Sequence, residues 1–405
     1  MDKIVVENLY KIFGDNPKKA MQLLKEGHNK ESVHDKTGMN VGVDNANFTI
    51  QAGEIFVIMG LSGSGKSTIV RMLNRLIEPT AGNVIVDGEN VTQMNQDELV
   101  QFRLKNMSMV FQSFALMPHL TVLDNAAFGL QLAKVDKETR NKRAMEALEQ
   151  VGLAGWEKSY PKELSGGMQQ RVGLARGLAV DPDILLMDEA FSALDPLIRT
   201  EMQDELLKLQ EEDQRTIVFI SHDLDEALRI GDRIAIMEGG RVVQVGPPEE
   251  ILQNPADDYV RAFFRGVDPT NVISAGDIVR DTYPTLVVTK KGSLRTTHEL
   301  LSSSERDYLY VLDAKHRFLG IASSDSVREA LESGKPDNPV SQAFIDDANA
   351  VNLGDSMQDI LPQVASSAWP IPVVDDQNVY KGVVSKNRFL RTLHRTEEQL
   401  EASAS

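Results

Sequence analysis

Hydrophobic and polar positions divide the first 265 residues into alternating strands and helices. Residues 4–10 alternate apolar and polar side chains, as a half-buried edge strand does, and residues 54–59 form an apolar run typical of a buried strand. The remaining predicted elements are strands at 83–86, 184–188 and 216–220 and helices at 68–76, 121–132, 136–151 and 166–180. Because strands that alternate with helices form parallel sheets, we expect an α/β domain over residues 1–265 with a helical subdomain at about 115–180.

Residues 15–38 predict a helical insertion between the first strand and the next. Asp15-Asn16-Pro17 is typical of a helix start with proline early in the first turn, and Thr37-Gly38 is typical of a helix end. The pattern therefore indicates a short helical segment here.

After Gly266 the pattern changes, and a weak internal repeat occupies residues 281–395. The strand that ends at Leu312-Asp313 recurs 62 residues later as Val374-Asp375, and in each copy a turn, a second strand and a helix follow. Two copies of one unit predict a small pseudo-symmetric α+β module that buries a shared core. Residues 266–280 are expected to be a linker and residues 396–405 a frayed polar tail.

Composition narrows the class of protein. Of 405 residues, 41% are hydrophobic and 25% charged, the profile of a globular protein with two or three domains. No stretch approaches the ~20 apolar residues of a membrane span, and the N-terminus lacks a signal-peptide pattern. The absence of cysteine excludes disulfides and thiolate metal sites, and the net charge of −17 argues against non-specific nucleic-acid binding.

A phosphate-binding motif, GLSGSGKS, occupies residues 60–67 between a predicted strand and a predicted helix. Its glycines let backbone N–H groups surround the β- and γ-phosphates, and the helix directs its positive end at them. Lys66 would add a positive charge, and Ser67 would offer a hydroxyl to Mg²⁺. The residues expected to bind the nucleotide here are Gly60, Ser62, Gly63, Ser64, Gly65, Lys66, Ser67 and Thr68.

Two carboxylates stand at the end of a second buried strand. Asp188 completes the apolar run 184–188 and would hold Mg²⁺. Glu189 follows it directly and so points elsewhere, where it could polarise the attacking water. Together with the phosphate loop, these residues predict a nucleotide-hydrolysing site.

With these motifs, and with LSGGMQQR at residues 164–171, the chain resembles the ATP-binding subunits of ABC transporters. The resemblance implies a P-loop NTPase of the ABC ATPase type that hydrolyses ATP with Mg²⁺. It assigns Gln112 to the Q-loop, which contacts Mg²⁺ and links the site to the membrane partner. His222 matches the switch histidine that touches the γ-phosphate. With Lys66 and Glu189, these two complete the expected catalytic set.

The same resemblance assigns residues that bind nucleotide outside the phosphate loop. Ser165, Gly166 and Gly167 match the signature motif, and Asp195 matches the D-loop. Phe13 stands where the family has the aromatic residue that stacks on adenine, with Tyr10 as the competing candidate.

The signature motif would form a second anion site, because a serine and two glycines open a helix. One domain cannot fold both anion sites onto one γ-phosphate. The resemblance therefore implies a head-to-tail homodimer in which each signature closes over the ATP of the other chain.

Four features resemble one branch of the family, the ATP-binding subunits of glycine betaine/proline betaine importers. They are the insertion at 15–38, residues 58–65, residues 111–119 and the terminal repeat. The resemblance implies a peripheral subunit on the cytoplasmic face of the cell membrane, beneath transmembrane permease subunits. A substrate-binding protein would deliver the solute to that permease. Residues 113–120 are expected to meet the permease.

In that branch the repeat is a tandem of cystathionine-β-synthase-type (CBS) modules that bind adenine nucleotides or respond to ionic strength. Here Asp325 stands one place early for the ribose-binding carboxylate, and Arg388 replaces it in the second copy. The other possibilities are an ionic sensor, in which a basic face contacts anionic lipid, and a purely structural module. The basic residues concerned are Lys381, Lys386, Arg388, Arg391 and Arg395.

Three alternatives stay open at this stage. An importer of choline, carnitine, proline or histidine would share the ATPase motifs. A non-transport ABC ATPase acting on ribosomes or DNA is disfavoured by the single set of motifs and the acidic balance. A purely regulatory ligand sensor is disfavoured by the intact Lys66, Asp188 and Glu189.

Overall fold

A computed structural model describes residues 1–192, 194–264, 267–281, 283–288, 292–304 and 306–401, without the side chains of Pro269 and residues 394–401. The chain divides into two compact units, Met1–Val260 and Arg261–Ser405. None of the helices in the described part has the length and apolar composition of a membrane span.

The first unit contains ten strands and eleven α-helices in its described residues, and a twelfth helix, α12, crosses the boundary at Val260. The strands are β1 (Asp2–Phe13), β2 (Asn40–Gln51), β3 (Ile55–Met59), β4 (Ala81–Val86), β5 (Glu89–Asn90), β6 (Met107–Phe111), β7 (Ile184–Asp188), β8 (Thr216–Ser221), β9 (Arg233–Glu238) and β10 (Arg241–Gly246). The helices are α1 (Pro17–Lys25), α2 (Lys30–Thr37), α3 (Lys66–Leu73), α4 (Gln96–Asn106), α5 (Val122–Ala126), α6 (Phe128–Leu132), α7 (Lys137–Gln150), α8 (Gly166–Ala179), α9 (Pro196–Asp213), α10 (Leu224–Ile230), α11 (Pro248–Gln253) and α12 (Asp258–Phe263).

Two sheets organise this unit. A six-stranded sheet has the order β10-β9-β3-β8-β7-β6 and is parallel except for the β9–β10 hairpin. A four-stranded sheet has the order β2-β1-β4-β5 and is antiparallel. The prediction that the first strand lies at an edge is wrong, because β1 pairs on both sides, with β2 and with β4. Polar and apolar residues alternate along β1 because one face of this strand is exposed, and not because one of its edges is unpaired.

The core lies between the two sheets and around α3. Every residue of β3, β7 and β8 is buried, which is why these strands are continuous apolar runs. Phe48 of the antiparallel sheet stacks on Phe56 of the parallel sheet with ring centroids 5.4 Å apart. Ile69 and Leu73 of α3 belong to the same cluster. The helix after the phosphate loop is thus fixed by apolar packing on the strands that carry the predicted catalytic residues.

The predicted insertion forms two helices, α1 and α2. Asn16 caps α1 by accepting a hydrogen bond from the Lys19 backbone N–H, and Pro17 is its first residue. Gly38 ends α2 in the left-handed conformation, with φ of 69°. The helices pack on β1 and β2 through a separate apolar cluster that includes Ala20, Leu24, Val33 and Met39.

Helices α5 to α8 form the helical subdomain. Helix α5 packs against α7 and α8, and the small buried residues Ala126, Ala144 and Ala175 let these helices approach closely. The predicted helix at 121–132 is divided into α5 and α6 at Ala127.

The second unit is built from two copies of one β-α-β-β-α pattern. The first copy contains β11 (Thr285–Val288), α14 (Leu294–Ser304), β12 (Tyr308–Asp313), β13 (Phe318–Ser323) and α15 (Ser324–Ser333), preceded by α13 (Ala275–Ile278). The second copy contains β14 (Val351–Asn352), α16 (Met357–Ser366), β15 (Ile371–Val374), β16 (Tyr380–Val384) and α17 (Lys386–Glu401). In each copy the first two strands are parallel and the last two antiparallel.

Hydrogen bonds reproduce the 62-residue offset. Asp313 accepts hydrogen bonds from the backbone N–H groups of Lys315 and Arg317, and Asp375 accepts them from Gln377 and Val379. The two turns also bond to each other, Phe318 N to Asn378 O at 3.0 Å and Tyr380 N to His316 O at 2.9 Å. This exchange relates the copies by a pseudo-two-fold axis.

Two predicted segments differ from the structure. Residues 267–280 of the expected linker belong to the second unit, because Ile273, Ala275 and Ile278 are buried and Ala275 N donates to Asp355 O. The expected tail is helical through Glu401, the end of α17. Its last four residues, and Gly266 of the expected linker, lie outside the described residues.

Candidate functional site: the phosphate loop and its catalytic carboxylates

The phosphate loop joins β3 to α3 at the carboxyl edge of the parallel sheet. Gly60, Gly63 and Gly65 all have positive φ angles, of 150°, 79° and 106°. A Cβ at Gly60 would come within 2.3 Å of Met237 O, and one at Gly65 within 2.4 Å of Gly42 O. Side chains are therefore excluded at these positions, which leaves the backbone N–H groups available to an anion.

Lys66 is the first residue of α3 and is only 5% exposed. Its Nζ donates to Gly60 O at 2.8 Å and to Leu61 O at 3.2 Å. Burial lowers the pKa of Lys66, and the charges of Glu189 and Asp188 act in the opposite direction. The ammonium is thus held at the rim of the loop, where it can transfer to phosphate oxygens.

Ser67 and Asp188, two of the three predicted Mg²⁺ ligands, are brought together. The Ser67 hydroxyl donates to Asp188 Oδ1 at 2.8 Å, and Asp188 is 3% exposed at the end of β7. Arg71, one helical turn after Ser67, donates to Asp188 Oδ2 from Nε at 3.2 Å and from its terminal nitrogen at 2.9 Å. The guanidinium fixes the orientation of the carboxylate and leaves Oδ1 directed toward Ser67.

Glu189 lies next to two other predicted catalytic residues. Its backbone is left-handed, with φ of 48°, a conformation that costs a non-glycine residue about 1–3 kcal/mol. Gln112 Nε2 donates to Glu189 Oε2 at 3.1 Å and to the Ser192 hydroxyl at 3.3 Å, and His222 Nδ1 lies 3.8 Å from Glu189 Oε2. The structure thus brings Gln112, Glu189 and His222 together, and it places the Gln112 amide on Glu189.

Phe13 lies beside the phosphate loop. Its ring contacts Gly42, where an added Cβ would come within 2.7 Å of Phe13 Cε2, and the carbonyl of Gly42 faces Gly65. The side chain is 41% exposed, with Lys11 Nζ 5.0 Å from the ring centroid. The competing Tyr10 packs instead against the apolar cluster of the insertion. Phe13 is therefore the aromatic side chain that can offer an open ring face to a nucleobase.

The insertion also reaches the phosphate loop. A cavity of about 400 Å³ is lined by Lys30 at the start of α2, by Ser62 and Ser64, and by Arg241 of β10. Arg241 Nε donates to Asp44 Oδ2 at 2.6 Å. The insertion is thus part of the surroundings of the nucleotide site.

The signature residues open helix α8 as predicted. Ser165 caps the helix, and its hydroxyl accepts a hydrogen bond from Met168 N at 3.3 Å. Gly167 faces Ile198 of α9, so closely that a Cβ would approach it to 2.8 Å. Asp195 caps α9 by accepting from Ile198 N at 3.1 Å. Within the described residues, neither a hydrogen bond nor an ion pair joins residues 165–167 to the phosphate loop.

Sequence analysis missed Arg71 and Asn125. Arg71 stands four residues after Ser67, a spacing that puts both on one helix face and that could have suggested a shared partner. Asn125 is fully buried, accepts from Met117 N at 2.8 Å, and donates to the carbonyls of Met117, Leu120 and Thr121. It fixes the loop that follows Gln112, and a lone asparagine in a helical pattern gives no signal of that role.

These features define a class of protein, the ATP-binding cassette ATPases. Residues 43–192 match the ABC transporter family. A dimeric structure of a post-hydrolysis state of the ATP-binding cassette MJ0796, bound to ADP and Pi, is 33% identical with a TM-score of 0.52, and the match covers 60% of this chain and 98% of that one.

Curated relatives extend the match to the whole chain. The glycine betaine/proline betaine transport system ATP-binding protein ProV of Escherichia coli K12 is 55% identical over 97% of this chain and 98% of its own. The glycine betaine transport ATP-binding protein OpuAA of Bacillus subtilis 168 is 48% identical over 100% of this chain and 95% of its own. The chain belongs to the family of ATP-binding subunits of glycine betaine/proline betaine ABC transporters, and it is an ATP hydrolase.

Proposed function

We propose that this chain binds and hydrolyses ATP to energise uptake of glycine betaine or proline betaine through a membrane permease. The observation that carries the proposal is the cluster of Lys66, Asp188, Glu189 and His222 around the phosphate loop. The substrate class rests on the full-length similarity to ProV and OpuAA. An importer of choline, carnitine, proline or histidine is the remaining alternative, because the ATPase never touches the transported solute.

Mg²⁺ fits the donors around Asp188. Hard oxygen ligands suit this ion, which is usually held by one or two carboxylates together with substrate phosphates. Ser67 Oγ and Asp188 Oδ1 provide such a pair, and the Gln112 amide oxygen would be a third protein ligand. When bound, the ion neutralises charge on the β- and γ-phosphates. Phosphate oxygens of the nucleotide would complete the ligand set.

Within the site, each chain residue has a distinct task. Lys66 exchanges its two carbonyl partners for phosphate oxygens. Glu189 accepts a proton from the attacking water, with Gln112 orienting its carboxylate. His222, next to Glu189, donates to the γ-phosphate.

Two copies of the chain would close head to tail over two ATP molecules. The separation of residues 165–167 from the phosphate loop within one chain supports this arrangement, because the signature helix has an anion site without a phosphate of its own. The similar MJ0796 cassette is dimeric in its post-hydrolysis state, which also supports the arrangement. The dimer would lie beneath two permease subunits at the cytoplasmic face of the cell membrane, with a substrate-binding protein delivering solute from outside.

Residues 113–120 would contact the permease. Side chains of this loop are exposed or half-buried, while Asn125 and Arg176 hold its backbone. Arg176 donates to Ala115 O at 2.6 Å and to Phe114 O at 3.1 Å. A loop with a fixed backbone and open side chains is suited to docking.

Transport tests the proposed function directly. The chain is co-expressed with its neighbouring permease and binding-protein genes in cells that lack betaine uptake, and radiolabelled glycine betaine accumulation is measured at high osmolarity. We expect uptake from the unmodified chain and none from Glu189→Gln. Uptake of choline or histidine with no uptake of betaine would replace the substrate assignment.

Phe13→Ala is expected to weaken ATP binding about tenfold, because stacking on a base contributes about 1–3 kcal/mol. Fluorescence titration with a labelled ATP measures the dissociation constant. Tyr10→Ala is the matched control and should leave the constant unchanged, since Tyr10 packs in the insertion cluster. Weakening by the Tyr10 variant alone would move the stacking role to that residue.

We infer that the second unit is a tandem CBS-type module. Its support is the repeated β-α-β-β-α pattern and the reciprocal bonds between its two turns. Asp325, the misplaced carboxylate, pairs with Arg328 at 2.6 Å, which is consistent with a departure from ribose binding.

Two lysines of the predicted basic face are bonded within the module. Lys381 pairs with Asp375 at 2.8 Å, and Lys386 Nζ donates to Ala365 O at 3.2 Å. The side chain of Arg395 lies outside the described residues. The pair with Asp375 reduces the net charge that Lys381 brings to this face.

A further inference from the structure

Two neighbours determine where the switch histidine lies. The side chain of His222 is 58% exposed. His222 is the single residue between Ser221, the last residue of β8, and Asp223, which caps α10. Ser221 is 1% exposed, and its hydroxyl accepts a hydrogen bond from Asp223 N at 2.9 Å. Any displacement of this turn therefore displaces His222.

Buried Glu226 holds the first neighbour. Its carboxylate accepts hydrogen bonds from the Ser221 hydroxyl and from Gln203 Nε2, the latter at 3.1 Å. Glu226 is 7% exposed and Gln203 4%. Burial raises the pKa of Glu226, and the bonds from Ser221 and Gln203 oppose that shift. The turn is thus tied to α9, which carries Gln203.

Arg199 of α9 holds the second neighbour. One terminal nitrogen donates to Asp223 Oδ2 at 3.1 Å, and the other donates to Leu194 O at 3.3 Å. Leu194 immediately precedes Asp195. A single guanidinium therefore joins the D-loop backbone to the cap of α10.

Asp195, Arg199 and Gln203 are spaced by four residues at the start of one helix. Asp195 caps α9, an 18-residue helix, and the other two lie one and two turns further on. Residues four apart share a helix face, so a rigid shift of the helix start is transmitted to Arg199 and Gln203 together. The three residues Arg199, Gln203 and Glu226 are called the α9 bridge below.

We propose that the α9 bridge consists of positioning residues that set the place of His222 according to the place of Asp195. The inference rests on the proposed pairing of two chains, which closes over residues 165–167. Gly167 faces Ile198, three residues after Asp195, so closure on residues 165–167 shifts the start of α9. The bridge carries that shift to the turn that bears His222. Hydrolysis is then coupled to closure.

A double variant, Gln203→Met with Glu226→Met, tests the bridge. Two apolar side chains of similar length replace the two buried polar ones, and the Ser221 hydroxyl keeps its bond to Asp223 O at 3.1 Å, so the fold is retained. We expect kcat to fall about tenfold to a hundredfold, the cost of misplacing a catalytic group, with KM for ATP within about twofold. The single variant Glu226→Gln should keep most of the turnover of the unmodified chain, because an amide can accept a hydrogen bond from Gln203 and donate one to Ser221.

Asp204→Asn is the matched control. It removes the Arg229–Asp204 ion pair of 2.6 Å, which also joins α9 to α10 but is exposed and does not involve the residues beside His222. Its kcat should stay within about twofold of the unmodified chain, as exposed pairs contribute little.

Combination with His222→Ala separates positioning from general destabilisation. If the bridge acts through His222, the double variant causes no further loss of kcat in the His222→Ala chain. Additive losses, or normal kcat in the double variant, would overturn the inference.

ATP-dependent dimerisation is measured in parallel in the Glu189→Gln background. A double variant that dimerises and turns over normally refutes the bridge alone, whereas a parent chain that never dimerises refutes the proposed pairing and the bridge with it.

Discussion

Glu189→Gln is expected to reduce the rate of ATP hydrolysis by about two to four orders of magnitude while ATP stays bound. The amide is isosteric with the carboxylate, keeps an oxygen for the Gln112 N–H, and cannot accept a proton from water. Lys66, Ser67 and Asp188 are unchanged, so the nucleotide retains its phosphate contacts. Release of inorganic phosphate at saturating ATP measures the rate, and retained ATP is quantified after rapid desalting.

Binding provides the control for this variant. The dissociation constant for ATP should be within about threefold of the unmodified chain, because Glu189 does not contact the phosphates in this assignment. Normal turnover in Glu189→Gln would remove Glu189 from the role of general base. Loss of binding together with turnover would instead assign it a structural role.

Gly166→Asp is expected to abolish turnover without harming the fold. Gly166 is the first residue of α8, and a Cβ there would meet only Phe114 Cζ, at an ordinary 3.8 Å. An acidic residue in the first helical turn favours the helix by about 0.3–1 kcal/mol. The same charge would repel a γ-phosphate at the signature site by about 4 kcal/mol at 4 Å and an effective dielectric of ~20. Turnover should therefore fall about a thousandfold, with an unchanged or raised melting temperature.

Gly166→Ala is the neutral control and should keep turnover within a few-fold of the unmodified chain. Binding of ATP to isolated chains should be equal in both variants, since the phosphate loop that binds first is untouched. Normal hydrolysis by Gly166→Asp would mean that no phosphate approaches residues 165–167 during the reaction.

Sequence was sufficient for the elements that carry the phosphate site. The run at 54–59, the glycines and the helix start predicted β3, the loop and α3 to within a few residues, because buried parallel strands and phosphate loops leave unambiguous patterns. The helix itself begins at Lys66, two residues before the prediction, since the loop glycines feed directly into its first turn. That Ser165, Gly166 and Gly167 open α8 follows from local chemistry alone.

Tertiary contacts determined what sequence could not supply. Arg71 meets Asp188, 117 residues away, and Glu226 meets Gln203, 23 residues away, and no local pattern indicates these partners. Asn125 acts on backbone groups four to eight residues before it, in a loop whose path the local pattern does not fix. The position of β1 between two strands depends on β4, which no local pattern links to it. The expected linker is mostly folded because Ile273 and Ile278 find a core in the second unit, an outcome that short apolar segments do not reveal.

The molar mass of Glu189→Gln with and without ATP·Mg²⁺ tests the central claim most directly. Light scattering after size exclusion should give the 44.9 kDa of one chain without nucleotide and twice that mass with saturating ATP. Adding Gly166→Asp to the same chain should hold the mass at one chain in both conditions. A mass that stays at 44.9 kDa in Glu189→Gln with saturating ATP would contradict nucleotide bound between two subunits.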